Sequence, residues 1–243
     1  METDETAFAD FRNGQDFVGS SFSYLPNRST RFDMIVDGVT TPVPARAGDT
    51  PAFQVTAPDH DALMVVVSEA ATSTVTYKEW EKFLAFAKHK DFPTAGEDHI
   101  AWGWPQDRFK ESYTRHVKAL IAVGDGRGAD AATGMETEFV ALTNPYDAEF
   151  DGMMRVQLLY QGAPRPDAQI EVFDRAPDDS VTVTMHRTDA AGIGAIPVTS
   201  GHEYLFDAVV LRPVPDVGRG DAVDANKPIW RTLWAALTFA VPQ

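Results

Sequence analysis

Short apolar runs of strand length, cut at intervals of roughly 8–15 residues by turn signals, constrain this chain more than any other feature. In the second half they are 136–142, 154–160, 168–173, 181–186, 193–198, 204–211 and 233–241. Asn144-Pro145, Gly162-Ala163-Pro164, Pro177-Asp178-Asp179, Ala191-Gly192 and Ser200-Gly201 separate them. Such residues reverse a chain, because glycine accepts positive φ, proline fixes φ, and Asn or Asp bonds its own backbone. Short strands punctuated in this way predict a β-sandwich of immunoglobulin or transthyretin type.

The first half carries the same pattern with one interruption. Residues 32–36 run into Asp37-Gly38, a hairpin pair, and 39–43 return, while 63–68 is β-branched and apolar enough for a buried strand. Thr76-Tyr77-Lys78-Glu79 has the form of a capping box, and Tyr77, Trp80, Phe83 or Leu84, and Ala87 follow at helical spacing. Thr94-Ala95-Gly96-Glu97 repeats the cap before a shorter helix that must stop before Pro105. Residues 109–123 fit either period, and rising β-branched content favours a strand from about Tyr113.

The expected fold is therefore mainly β, with two sandwich-like units. The first is an N-terminal β domain over 1–134, with a helical insert at about 76–104. The second is an immunoglobulin/transthyretin-like sandwich over 135–243, and the polar, glycine-containing stretch 124–134 reads as the linker.

Charge and composition exclude several functions. A net charge of −15 repels phosphate backbones and argues against nucleic-acid partners. The absence of cysteine removes disulfides, thiolate metal sites and cysteine nucleophiles. No apolar run is long enough to span a bilayer, so the chain is expected not to be membrane-spanning. The acidic opening Met1-Glu2-Thr3-Asp4-Glu5-Thr6 does not read as a signal peptide.

Few residues suggest chemistry. Gly124-Asp125-Gly126-Arg127-Gly128-Ala129 spells a dinucleotide fingerprint, but no helix is predicted after it to face a pyrophosphate. No nucleophile elbow surrounds Ser20-Ser21, and no catalytic machinery is identifiable, so the chain is expected not to be an enzyme. Asp178-Asp179, Asp216, Asp221 and Asp224 lie in loops without a calcium-loop pattern. Arg219-Gly220-Asp221 spells an adhesion tripeptide that chance explains. Trp102-Gly103-Trp104 and Trp230…Trp234 either line a ligand surface or cap a core. Six histidines lack the close spacing of metal ligands, and Asp59-His60-Asp61 offers neighbouring donors that need not converge.

Several blocks together point to a family. They include Arg12-Asn13-Gly14-Gln15-Asp16-Phe17-Val18-Gly19-Ser20-Ser21, Tyr24-Leu25-Pro26, Trp80-Glu81-Lys82-Phe83, Glu111-Ser112-Tyr113-Thr114-Arg115-His116, Thr143-Asn144-Pro145-Tyr146 and Gly201-His202-Glu203-Tyr204. This series resembles, over nearly the whole chain, an exported bacterial domain family of unknown function often labelled as a NikM-like nickel/cobalt uptake component. The second half alone is similar to transthyretin-like and carboxypeptidase-regulatory-like sandwiches. The resemblance implies a non-catalytic periplasmic accessory protein that assists uptake or binding of a divalent transition metal such as nickel or cobalt, with a membrane metal transporter as partner. His186, His202, His89 and His99 are the candidate ligands for that reading, completed by carboxylates. The alternative is a structural or interaction module that binds a protein or glycan through loops and a sheet edge.

Overall fold

The protein is described by a computed structural model that covers residues 1–243 apart from Asp16, Asp221, Ala222, Ala225 and the side chain of Gln15. It is mainly β, with 49% of residues in strands and 9% in helix, most of that in two short α-helices. In chain order the strands of the first half are β1 (Thr6–Ala9), β2 (Phe11–Gln15), β3 (Val18–Phe22), β4 (Ser29–Val36), β5 (Val39–Pro42), β6 (Phe53–Thr56), β7 (Ala62–Ala70), β8 (Ser73–Tyr77) and β9 (Phe109–Val123). Helices α1 (Trp80–His89) and α2 (Ala95–Ala101) lie between β8 and β9. The second half adds β10 (Thr137–Ala141), β11 (Met153–Tyr160), β12 (Ala163–Pro164), β13 (Gln169–Arg175), β14 (Val181–Arg187), β15 (Ile193–Pro197), β16 (Glu203–Pro213) and β17 (Pro228–Ala240).

One large sheet runs β14-β13-β16-β17-β9-β7-β4-β5, with β8 also on β9. It crosses from the second half of the chain to the first where β17 pairs in parallel with β9, Leu233 opposite Thr114 and Leu237 opposite Lys118. The segment between the halves is held tightly. Leu63 N–H donates to Arg127 O at 2.7 Å, and Asn144 Nδ2 donates to the carbonyls of Gly126 and Gly128. No helix follows Gly124–Ala129.

The two faces of this sheet have different covers. One face packs on the smaller sheet of β10, β11, β12 and β15. Leu63, Val65, Leu120, Ile170, Phe206, Ala235 and Leu237 meet Phe139, Met154, Val156, Leu158 and Ile196 there. These residues alternate along their strands, which is why one face can be dry while the next residues look outward. The other face has two lids. Strands β1 and β6 cover its β4–β7 end around Phe32, Phe53 and Met64. The helical insert covers its β9–β17 end around Phe83, Trp104, Phe109 and Trp230.

Two sequence expectations fail locally. Thr76 caps no helix, because it lies in β8 opposite Lys110, and α1 starts after Glu79 with no side-chain cap. Residues 73–77, Ser-Thr-Val-Thr-Tyr, are rich in β-branched side chains, and pairing with β9 satisfies their backbone groups better than a helical turn would. Strand β9 begins at Phe109 rather than near Tyr113, because β8 and β17 both supply partners for its first residues. The Asp37-Gly38 hairpin forms as expected, with φ of 50° and 74° at the two turn residues, the conformation that Asp-Gly favours.

Candidate functional site

Between its two lids the second face of the large sheet stays partly open, and strand register defines what it presents. Val117, Ala236, Asp207, Glu171 and Met185 form one row across β9, β17, β16, β13 and β14. Ala119, Thr238, Leu205, Phe173 and Val183 form the next. Toward β14 the rows become exposed, with Val183 at 40% and Met185 at 47% of full accessibility.

An arm made of β2 and β3 reaches over this surface. Arg115 Nη2 donates to Asn13 Oδ1 at 3.3 Å, and the Arg175 guanidinium lies 5.1 Å from the centre of the Phe17 ring. Arg115 is on β9 and Arg175 on β13, three strands away and about six residues further along the strand direction, or roughly 24 Å apart between backbones.

At the edge of the helical lid, two buried carboxylates share one ammonium. Lys90 Nζ donates to Asp207 Oδ2 at 2.7 Å and also to Glu171 Oε2, while His89 Nε2 lies 2.9 Å from Glu171 Oε1. The Lys90 ammonium also lies 4.9 Å from the Trp234 ring centre, and Phe86 packs on that ring. Burial works against the charge on Lys90, but Asp207 and Glu171 outweigh it and raise its pKa. Burial raises the Asp207 carboxyl above the ordinary range, with Lys90 opposing it and Glu171 adding to it. The group is a fixed charge cluster beside an aromatic ring, with no nucleophile among these side chains.

The histidine candidates occupy separate places. His89 ends α1 and belongs to that cluster. His99 is fully buried, receives the Trp230 indole N–H on Nδ1 at 3.0 Å, and places Nε2 3.0 Å from the Pro105 carbonyl. His186 sits opposite Ile170 and bonds the Thr184 hydroxyl at 3.1 Å. His202 bonds Asp174 at 2.6 Å just before Glu203, which pairs with Arg175. His186 and His202 are thus about six residues apart along β13, or roughly 20 Å, and lie on opposite sides of that strand. His60, between Asp59 and Asp37, is exposed, and hydrogen bonds to both carboxylates raise its pKa. Among the described residues no group of three or more His, Asp or Glu side chains is arranged to hold a metal ion.

Other sequence motifs also find their places. Trp102, Trp104 and Trp230 pack edge-to-face or tilted against one another in the helical lid, whereas Trp234 faces the open surface. Arg219 stacks on Trp102 at 4.7 Å, and Asp221 lies outside the described residues. No helix among the described residues is long and apolar enough to cross a membrane.

Sequence reading missed Lys90, Glu171 and Asp207. Their signal was present: Asp207 interrupts the apolar run 204–211 and Glu171 interrupts 168–173, and those strands are neighbours. A charge in the middle of a buried strand needs a partner.

A family model described as "Domain of unknown function (DUF4198)" matches residues 4–212. The chain belongs to that family. The DUF4198 match takes in both lids, the arm, the charge cluster and β16 nearly to its end, and β17 lies beyond it. Among solved structures, one described as "Crystal structure of tetra-tandem repeat in extending region of large adhesion protein" is 10% identical over 92% of this chain and has a TM-score of 0.22. The DUF4198 chain spans 44% of that protein's length, and the score is below that of a shared fold.

Proposed function

We propose that this chain is a non-catalytic interaction module that pairs an extended segment of a partner protein with the free edge of β14. The observation that supports this reading is the state of that edge. Strand β14 ends the large sheet, and no strand among the described residues pairs with its outer side. Its sequence, Val-Thr-Val-Thr-Met-His-Arg, contains neither the proline nor the lysine that commonly blunts an edge. Val183 and Met185 stand exposed beside it and continue the rows of the open face. A docked strand would gain main-chain hydrogen bonds from the edge and side-chain selectivity from those alternate positions.

Selection from a displayed random peptide library on the immobilised chain tests this. The expected result is peptides with alternating apolar residues that slow amide exchange along 181–187 and lose binding to a Val183→Lys/Met185→Lys variant. Peptides that protect other strands, or binding that survives the double variant, would overturn it. So would binding only to a glycan array.

A second reading, periplasmic assistance to nickel or cobalt uptake beside a membrane transporter, draws on the resemblance to NikM-like components. The arrangement nearest to such a site is Glu171 and Asp207 on the Lys90 ammonium, with His89 on the other oxygen of Glu171. A divalent ion binding there would have to displace that ammonium. Calorimetric titration with nickel and cobalt should give saturable heat that Glu171→Gln removes, and a flat titration would end this reading.

A further inference from the structure

A separate feature lies on the other side of the charge cluster. A cavity of about 150 Å³ is lined by Lys90, Asp91, Arg165, Gln169, Glu171 and Asp207, among others. By the same measure a single water needs about 10–15 Å³, so the space admits a molecule of several heavy atoms.

The acids around this cavity are already engaged. Arg187 holds Asp91 at 2.6 Å and Asp167 at 3.2 Å, and Lys90 holds Glu171 and Asp207. Arg165 is left over. Its backbone is pinned, since its N–H donates to Leu158 O at 2.9 Å and its carbonyl accepts from Thr188 Oγ1 at 2.8 Å. Its guanidinium makes no ion pair or hydrogen bond among the described residues, and its Nη1 is buried without any partner. By contrast Arg155, Arg175, Arg212 and Arg231 each reach a carboxylate. Arg165 itself is half-buried and lines the cavity, so a ligand oxygen there would give its guanidinium the acceptor that it lacks.

We propose that this cavity binds a small monocarboxylate, gripped by the Arg165 guanidinium. The planar fork of a guanidinium matches the two oxygens of a carboxylate. A singly charged carboxylate fits better than a phosphate or sulfate dianion, because four neighbouring carboxylate side chains would repel the second charge. The ligand is either a free acid or the terminal carboxylate of a chain, and the site is independent of the β14 edge.

Thermal unfolding of the full chain in sodium acetate, against sodium chloride and sodium sulfate at equal ionic strength, provides the test. The expected result is a saturable rise in midpoint with acetate alone, together with a chemical-shift change at the Arg165 Nε–H resonance. N-acetyl-diglycine against its amide then separates a chain terminus from a free acid. Arg165→Met should abolish the acetate effect and unfold no earlier than the wild type without acetate. If that variant does not fold, Arg165→Lys should bind acetate about tenfold more weakly. No saturable shift, an equal response to sulfate, or full acetate binding by a folded Arg165 variant would overturn the proposal.

Discussion

The indole N–H of Trp230 donates to Nδ1 of His99 at 3.0 Å, joining residues 131 positions apart at the centre of the helical lid. The other ring nitrogen faces the Pro105 carbonyl, so the buried imidazole is neutral and protonated on Nε2. Burial lowers its pKa. A histidine whose folded pKa is depressed favours folding above its unfolded value near 6.5, and that contribution is lost as pH falls toward the folded value. Urea unfolding between about pH 7.5 and about pH 5 should therefore show less loss of stability for His99→Gln than for the wild type. Equal slopes would contradict this account of His99.

Glu111 carries the opposite sign. It is buried, accepts from Thr232 Oγ1 at 2.5 Å and Tyr77 Oη at 3.1 Å, and has no cation partner among the described residues. Burial raises its pKa despite both hydrogen bonds. Its folded state favours the proton, so its contribution is present below the unfolded value near 4.3 and is lost as pH rises through the raised value. Glu111→Gln should gain on the order of 1 kcal/mol over the wild type at neutral pH, and the difference should vanish below about pH 4. Denaturant titrations at the two pH values check this.

Lys118 is fully buried and bridges the sheet to the segment between the halves. Its ammonium lies 3.1 Å from Asp130 Oδ1, 3.0 Å from Glu138 Oε2 and 2.8 Å from the Ala131 carbonyl. Burial opposes ionisation of Glu138, but Lys118 and hydrogen bonds from Thr133 hold its pKa below the ordinary value. Lys118→Met leaves two buried carboxylates uncompensated and should cost about 3–5 kcal/mol. A Lys118→Met/Asp130→Asn/Glu138→Gln variant should recover part of that loss in the same urea experiment.

The strands were legible because their period comes from local chemistry. Runs 154–160 and 181–186 became β11 and β14 within a residue at either end, and Asp37-Gly38 formed its turn. The Thr76 cap was misread because a capping box and an edge strand use the same residue types, and only pairing with β9 decides between them. The charge cluster depends on contacts between Lys90, Glu171 and Asp207, separated in sequence by 81 and 117 positions. No local pattern specifies which distant carboxylate a lysine will meet. His89 stands out in the sequence as a metal candidate, but its partner, Glu171, is defined only where β13 lies beside the end of α1.

The arm over the open face depends on a cross-strand glycine pair. Gly14 lies opposite Gly19, and a Cβ on Gly14 would fall 1.8 Å from the Val18 carbonyl oxygen and 2.5 Å from the Gly19 Cα. No rotamer change relieves such contacts, because both neighbours are backbone. Gly14→Val should therefore open the β2–β3 pairing and release the arm from Arg115 and Arg175. Every residue of β3 is exposed, so little core is lost and global stability should change by less than about 1 kcal/mol. Limited proteolysis should cut the variant faster within 11–22 while the thermal midpoint stays near that of the wild type. If cleavage is unchanged, the close approach of these two glycines does not hold the arm in place. A large drop in midpoint would instead show that the arm is part of the folded core.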